Sequence, residues 1–476
     1  MEFGGRKHIY RAGKPDESIA KVCHLWDHAP GSGENKLSLT MPFRRLRPRL
    51  AWAPTLLALS MQPLWAADPG PDLFNAIKKA TDSKLQLNFE VRSRLELRDQ
   101  SEFGQGSATH ANFMRTRLGL TYTPTPWIRF NALGQDSRAP FLGRTAPGTM
   151  RDPFDLQETY FEILPTAKTG PGGDLGRRMV QYGDTRLIGA PQWAYTARTY
   201  DLARAWWRTP HARFELLLVS PIKPTATGWN RPILGDRIWG TYNSWKDLWL
   251  KSVVDVYALR HTQNRPGGFA TSGRLRTDSL GFRWAALLSK QARFTTEAII
   301  QYGRIANAPH RAYAYVGQIG YKFPLLSRSM DIATEWKYAS GGQSPTASHT
   351  FDQLSPAAHD KLGHADLLGW KNIQNLRSTA VWALSPKFSL TTMFNDSWLA
   401  DRTDAAYNAQ GRAIARSARG TAGSHLGREL DLYLSWKRGP YTVAGGGGYF
   451  FTGEFFRRTT PGLGQRLFYL SHTYSF

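Results

Sequence analysis

Among its 476 residues the chain holds one cysteine, Cys23. A single thiol builds no disulfide framework and no multi-thiolate metal centre. Long apolar runs are equally scarce. The longest begins at Trp52 and is broken by Pro54, Pro63 and Pro69, so it lacks the roughly 20 clean apolar residues of a membrane helix. A mean hydropathy of −0.43 is too polar for a bundle of such helices. Acidic residues are few, 37 against 61 Lys and Arg, which leaves a net charge of +24. No internal repeat of fixed period stands out, and nothing marks a second domain. The chain is therefore soluble, or it crosses a membrane by some means other than helices.

The broken apolar run reads as a secretory signal. Arg44, Arg45, Arg47 and Arg49 supply a basic start, Leu56, Leu57 and Leu59 a short apolar centre, and Ala66-Ala67 small residues for cleavage. Met41 stands just before the arginines. The expected organisation is an over-extended, disordered stretch over 1–40 and a signal peptide over 41–66. A short periplasmic segment over 67–84 follows, then the folded body over 85–476. Residues 1–66 hold 10 Lys and Arg and 5 Asp and Glu, so the mature chain keeps a net charge of +19 and no cysteine. Secretion argues against nucleic acid as the partner of that charge and favours a polyanion or a membrane surface.

What the chain has in abundance is alternation. From Leu85, apolar Leu87, Phe89, Val91, Leu95 and Leu97 share one strand face, and Glu90, Arg92, Arg94 and Glu96 the other. Met114, Leu118, Leu120 and Tyr122 oppose Arg115 and Arg117; Ile332, Trp336 and Tyr338 oppose Glu335 and Lys337; Leu430, Leu432 and Leu434 oppose Glu429 and Asp431. Strands of roughly 9–11 residues cross a bilayer when tilted. Short turns such as Ser385-Pro-Lys387 and Arg438-Gly-Pro440 alternate with long polar stretches at 137–153, 341–373 and 400–426. That asymmetry predicts an all-β fold, a single transmembrane antiparallel β-barrel of about 18 strands with short periplasmic turns and long extracellular loops. The strands are expected to start near 85, 112, 127, 155, 177, 200, 212, 237, 249, 278, 292, 311, 328, 375, 387, 427, 440 and 465. The seventeen Trp and nineteen Tyr suit the two membrane interfaces. The last strand ends Phe468, Leu470, Tyr474, Phe476 on one face. It resembles the terminal signature by which outer-membrane barrels are recognised by the assembly machinery.

Gly176-Arg-Arg-Met-Val-Gln-Tyr-Gly-Asp-Thr-Arg-Leu-Ile-Gly189, followed by Trp193 and Ala197-Arg-Thr-Tyr-Asp201, resembles a signature of the alginate-export family of outer-membrane barrels. Phe351-Asp-Gln-Leu-Ser-Pro356, with His359, Gly363, Asp366 and Asn372, resembles a second block of that family, and Gly427-Arg-Glu-Leu-Asp431 a third. The resemblance spans roughly 85–476. It implies a monomeric 18-stranded barrel with an electropositive constriction through which a uronate polymer slides. Arg178 and Met179 depart from the pattern, which has glutamine after Gly-Arg, and make the local charge more positive.

A uronate chain carries one carboxylate per sugar, and arginine binds carboxylates through a planar fork of donors. The expected lumen path is Arg92, Arg94, Arg115, Arg117, Arg129, Arg177, Arg186, Arg198 and Arg204. Glu90, Asp184, Asp201, Glu335, Glu429 and Asp431 are expected to pair with them. For any one of these arginines, a structural ion pair or a contact to lipopolysaccharide phosphate is as good a reading. Gly445–Gly448 lacks the Lys and Ser/Thr of a phosphate loop and lies within a strand. His359 and His364, with Asp360 and Asp366, are read as a solvated loop, with no metal and no cofactor. The functional expectation is a non-enzymatic outer-membrane porin passing an anionic polysaccharide by diffusion. A general anion or sugar-acid uptake porin and a lipid- or glycan-modifying enzyme are the alternatives. Expected partners are the solute, outer-membrane lipid and lipopolysaccharide, the barrel-assembly machinery and periplasmic export proteins.

Overall fold

Strand alternation dominates the computed structural model, which describes residues 79–99, 101–264, 273–344 and 346–476. The expected signal peptide, the stretch before it and residues 67–78 lie outside the described residues. Of the short segment ahead of the first strand, Lys79 and Ala80 end a helical turn.

Eighteen strands close into one antiparallel barrel. They are β1 (Leu85–Asp99), β2 (Thr109–Thr125), β3 (Ile128–Arg138), β4 (Asp152–Ile163), β5 (Gly170–Arg178), β6 (Tyr200–Arg208) and β7 (Ala212–Lys223). After the two-residue β8 (Arg231–Pro232) come β9 (Arg237–Lys246), β10 (Val253–Gln263), β11 (Leu275–Leu287), β12 (Ala292–Ile305), β13 (Ala308–Leu325) and β14 (Arg328–Ala339). The wall continues through β15 (Ile373–Ser385) and β16 (Phe388–Trp398). A small hairpin, β17 (Ala405–Tyr407) and β18 (Ala413–Arg416), separates β16 from β19 (His425–Arg438), β20 (Tyr441–Thr452) and β21 (Gln465–Ser475). Each wall strand pairs with its chain neighbours, and β21 returns to β1 from Glu90↔Ser475 to Asp99↔Arg466. Full closure removes the open edge that no lipid-exposed sheet tolerates.

The barrel is apolar outside and polar inside. On β2, Arg115 and Arg117 are buried at 3% and 7% exposure, whereas the next residue, Leu118, faces outward and is 58% exposed. The same inversion holds on β14, where Glu335 and Lys337 are buried and Ile332 is exposed, and on β19, where Asp431 is buried and Leu430 and Leu432 are exposed. In water this arrangement would leave a belt of leucines unsatisfied; in a bilayer the belt meets acyl chains. Exposed Tyr122, Trp127 and Phe130 lie toward the short-turn end, and Tyr302 and Tyr313 toward the long-loop end, as interfacial aromatics do. Leu118→Arg, near the middle of β2, is expected to destabilise the barrel in phospholipid vesicles by about 2–4 kcal/mol in urea unfolding. A cost near zero would place that face against water.

Both chain-end strands, β1 and β21, meet short turns at one end of the barrel. Tyr474 and Phe476 pack there against Phe89, with ring centroids 6.4 and 5.6 Å from it, and the Phe476 backbone exchanges two 3.1 Å hydrogen bonds with Phe89. Phe468 and Leu470 stand higher on the same strand, Phe468 exposed on the outer face. At the other end the connections are long.

One strand begins earlier than its sequence suggests. β5 opens at Gly170-Pro-Gly-Gly173 rather than near 177. Such a run reads as turn, yet a Cβ on Gly172 would lie 2.4 Å from the Trp206 indole nitrogen on the neighbouring strand. Glycine is there to admit tryptophan, and local propensity yields to that contact.

Candidate functional site in the barrel lumen

Three long connections turn inward instead of standing over the barrel: 179–199 after β5, 340–372 after β14 and 399–424 after β16. Val180, Leu187, Ile188, Phe351, Leu362, Leu368, Trp370 and Leu399 are buried in one apolar cluster with wall residues such as Tyr200, Val219 and Ile238. Apolar surface removed from water drives the insertion. The first two loops join each other: Ile188 bridges Ser355, Ser355 donates its N–H to Leu187, and Gly189 donates to Ser355.

Arginines of the wall clamp the first loop. Arg92 Nη1 and Nη2 donate to the carbonyls of Gln192 (2.8 Å) and Ala194 (2.9 Å), and Arg94 donates to Trp193 O (2.8 Å) while lying over the Trp193 ring at 3.8 Å. Arg115 reaches Gln192 O (3.1 Å) and Ala194 O (3.2 Å), and its other donors hold Glu90 at 2.7 Å. Arg117 bonds Gln135 and the Gln192 side chain. Across the barrel, Arg186 of the loop is paired with Asp184 and with Glu335 on β14, and Arg283 on β11 holds Asp184 at 2.5 Å and Asp255 at 3.0 Å. Burial opposes the charge on Asp184, but Arg283 and Arg186 outweigh it and keep the carboxyl well below its usual range. The loop thus spans the lumen from β1 to β14.

The second loop spans it too. Asp352 meets His261 on β10 (2.7 Å) and Thr277 on β11 (2.8 Å), and its backbone is held by Gln301 on β12. Arg198, just before β6, donates to Pro356 O at 2.8 Å. Farther round, Lys337 and Arg377 donate to the carbonyls of Lys361 and Asp360.

Under the first loop, on the short-turn side, lies a cavity of about 300 Å³. Arg213 opens β7, Ser244 nears the end of β9 and Val253 opens β10, which fixes that side. Arg178, Arg204, Arg213 and Arg283 line it with Glu162, Glu215 and Asp255. Arg204 forks onto Asp174, with Nε 2.8 Å from Oδ1. Arg178 reaches Asp174 (2.6 Å) and Glu162 (3.0 Å) and lies over Tyr160 at 4.1 Å.

Residues 83–470 match the family described as Alginate export. The chain belongs to that family. No match is found among curated protein sequences. Solved outer-membrane proteins of Pseudomonas aeruginosa share the fold of this alginate-export family member. OccK1 (OpdK) aligns with a TM-score of 0.58 at 10% identity, covering 82% of this chain and 98% of that one. OpdQ aligns at 0.58 and 9%, covering 82% and 97%, and OpdO at 0.57 and 10%, covering 83% and 97%. Family membership and the closed barrel make this chain a channel of the bacterial outer membrane.

Within the alginate-export barrel the expected arginines fall into two sets. Arg92, Arg94, Arg115, Arg117, Arg186 and Arg198 bind loop carbonyls or loop and wall side chains. Arg129 (to Glu162, 2.7 Å), Arg177 (to Asp201, 2.8 Å) and Arg204 (to Asp174) pair with wall carboxylates, and Arg204 also donates to the Tyr182 hydroxyl of the first loop (3.2 Å) and Arg177 to Asn230 O (3.3 Å). Glu90, Asp184, Asp201 and Glu335 each meet arginine. Glu429 and Asp431 do not: among the described residues they form no ion pair, and they accept the backbone N–H groups of Ala365 (2.8 Å) and His364 (3.2 Å). The second loop occupies the place where an arginine was expected. In the segment carrying His359 and His364, His364 is buried, whereas the side chains of Asp360 and Asp366 keep 33% and 22% of their surface exposed. Gly446 and Gly448 lie in β20 opposite Tyr433 and Asp431, where a Cβ would come within 2.4 and 2.0 Å; the glycines make room for bulky neighbours. Arg213, Arg283 and Arg377 are not singled out in the sequence, and Lys337 only as facing the lumen beside Glu335, although alternation places Arg283, between Phe282 and Trp284, on the inner face.

Proposed function

We propose that this channel passes an anionic polysaccharide, alginate or a similar uronate polymer, by diffusion along arginines of the lumen. The observation that supports this most is the cavity beneath the first loop. Four arginines meet three carboxylates there, and the side chains of Arg178 and Arg213 keep 20% and 32% of their surface exposed. A guanidinium with free donors can exchange one carboxylate for another at little cost, and conduction needs such weak, repeated sites. The positive departure at Arg178 falls in this cavity. The family description, Alginate export, favours the same solute class.

A second reading is uptake of single sugar acids or other small anions. Two loops cross the lumen, and about 300 Å³ is at the low end of small-molecule sites, roughly 300–1,000 Å³. One OpdK structure was solved with vanillate, a small carboxylate. Planar-bilayer recording of the refolded mature chain separates the readings. Polymer passage predicts anion selectivity and a block that strengthens with oligouronate length, weakened by Arg178→Glu with Arg213→Glu. Equal block by a monouronate favours uptake, and cation selectivity overturns both. Recognition of Tyr474 and Phe476 by the assembly machinery, outer contacts to lipopolysaccharide, periplasmic export partners and a monomeric state belong to the same proposal.

A further inference from the structure

The buried carboxylates that face the short-turn cavity have arginine partners; one patch of the second inward loop does not follow that rule. Asp360 and Asp366 on the loop, with Glu429 and Asp431 on the wall beneath it, form no ion pair with Lys or Arg among the described residues. Glu429 Oε2, Asp431 Oδ1 and Asp366 Oδ1 are buried with no hydrogen-bond partner there. In a chain of net charge +24, these four carboxylates, Glu429 and Asp431 buried and Asp360 and Asp366 half-buried, have imidazoles rather than Lys or Arg beside them among the described residues.

Two imidazoles stand in the same patch. Ligand atoms of His359, Asp360 and His364 all lie within 4.8 Å of one another. His359 Nε2 is 3.4 Å from Asp360 Oδ2, close to the edge of a tetrahedron built on metal–ligand bonds of roughly 2.0–2.1 Å. On its far side, His359 Nδ1 is 2.9 Å from Asp366 Oδ2. A carboxylate behind the imidazole, fixing the tautomer that turns Nε2 forward, is the usual outer partner of a metal-bound histidine. Trp193 stacks on His359 at 4.3 Å and 4°, under Arg94, and holds the ring plane. His364 Nδ1 contacts Asp360 Oδ1 at 2.6 Å, while its buried Nε2 has no partner.

We propose that His359, Asp360 and His364 bind one divalent transition-metal ion of the zinc class, with Asp366 orienting His359. Two imidazoles and a carboxylate suit zinc, nickel or copper rather than calcium or magnesium. The direct His364–Asp360 contact opens to the ligand–ligand separation already present at His359, and a fourth position remains for water or a solute carboxylate. Because His359 stacks on Trp193, the ion joins the second loop to the first and stiffens the constriction. Protons and metal compete for the same field, so binding weakens on acidification.

The test uses the refolded full barrel after chelator treatment, titrated with Zn²⁺ by calorimetry and with Co²⁺ by its visible ligand-field bands. One ion per chain is expected. Asp366→Asn should weaken it about 10–100-fold, and His359→Ala with His364→Ala should abolish both the heat and the bands. Single-channel conductance of the parent should fall on adding Zn²⁺, and that response should vanish in the double variant. His359→Gln with His364→Gln, checked for heat-modifiable migration of a folded barrel, guards against loss through misfolding. Unchanged Zn²⁺ affinity in the folded double variant, no binding by the parent, or preference for Ca²⁺ over Zn²⁺ would each overturn the assignment. None of these readouts depends on which solute the channel passes.

Discussion

Replacing Arg92, Arg94 and Arg115 together by alanine raises the single-channel conductance and lengthens the open times. The three guanidiniums converge on the carbonyls of Gln192, Trp193 and Ala194, with donor distances of 2.8–3.2 Å in the main contacts. A hydrogen bond from a charged group contributes about 1.5–3 kcal/mol net. Each one lost therefore shifts the loop's bound-to-released ratio about ten- to a hundredfold, at 1.4 kcal/mol per factor of ten. Loss of all three frees residues 192–194 from the wall, although Leu187 and Ile188 still anchor the other half of the loop in the apolar cluster. The channel should thus widen without emptying. Conductance equal to the parent's, with weaker oligouronate block, would instead mean that these arginines act on the solute and that the apolar cluster alone holds the loop. Bilayer recording distinguishes the two in one experiment.

Glu335→Ala costs the barrel about 3–5 kcal/mol of unfolding free energy in vesicles, the range for breaking a buried ion pair on one side. Glu335 is 1% exposed and stands among Arg186, Lys337 (2.7 Å) and Arg377 (3.5 Å). Its removal leaves Lys337, 2% exposed, facing two like charges with no carboxylate in contact. Arg129→Ala is the control. Its side chain is 26% exposed beside Glu162, a screened pair worth at most about 1 kcal/mol. Urea unfolding of both variants checks the contrast. Equal, small losses would mean that lumen water screens Glu335 as well, and that the loop is held by packing alone.

The two variants separate what a pattern of residues can announce from what it cannot. Alternation along β1, β2, β14 and β19 is a local property, set by strand geometry, and it announced the inside-out wall. The places where charged residues would face the lumen followed from the same period. Partners did not. Glu429 and Asp431 sit on the inner face as the alternation requires, but they receive amides of a loop more than 60 residues away in the chain. Arg92 and Arg94 face the lumen as expected, but carbonyls about 100 residues on take their donors.

By itself the sequence determined that one cysteine builds no disulfide framework and that no clean apolar run of roughly 20 residues is available to a membrane helix. It also determined that its apolar side chains line one face of about 18 strands, with Arg92, Arg94, Arg115 and Arg117 on the other. Tertiary structure alone decided which arginines clamp a loop and which line a cavity. It also decided that His359, Asp360 and His364 converge beneath Trp193. The physical reason is the inward fold of the loops: their insertion is driven by long-range burial of residues such as Leu187, Phe351 and Trp370, and burial of that kind leaves no periodic mark along the chain.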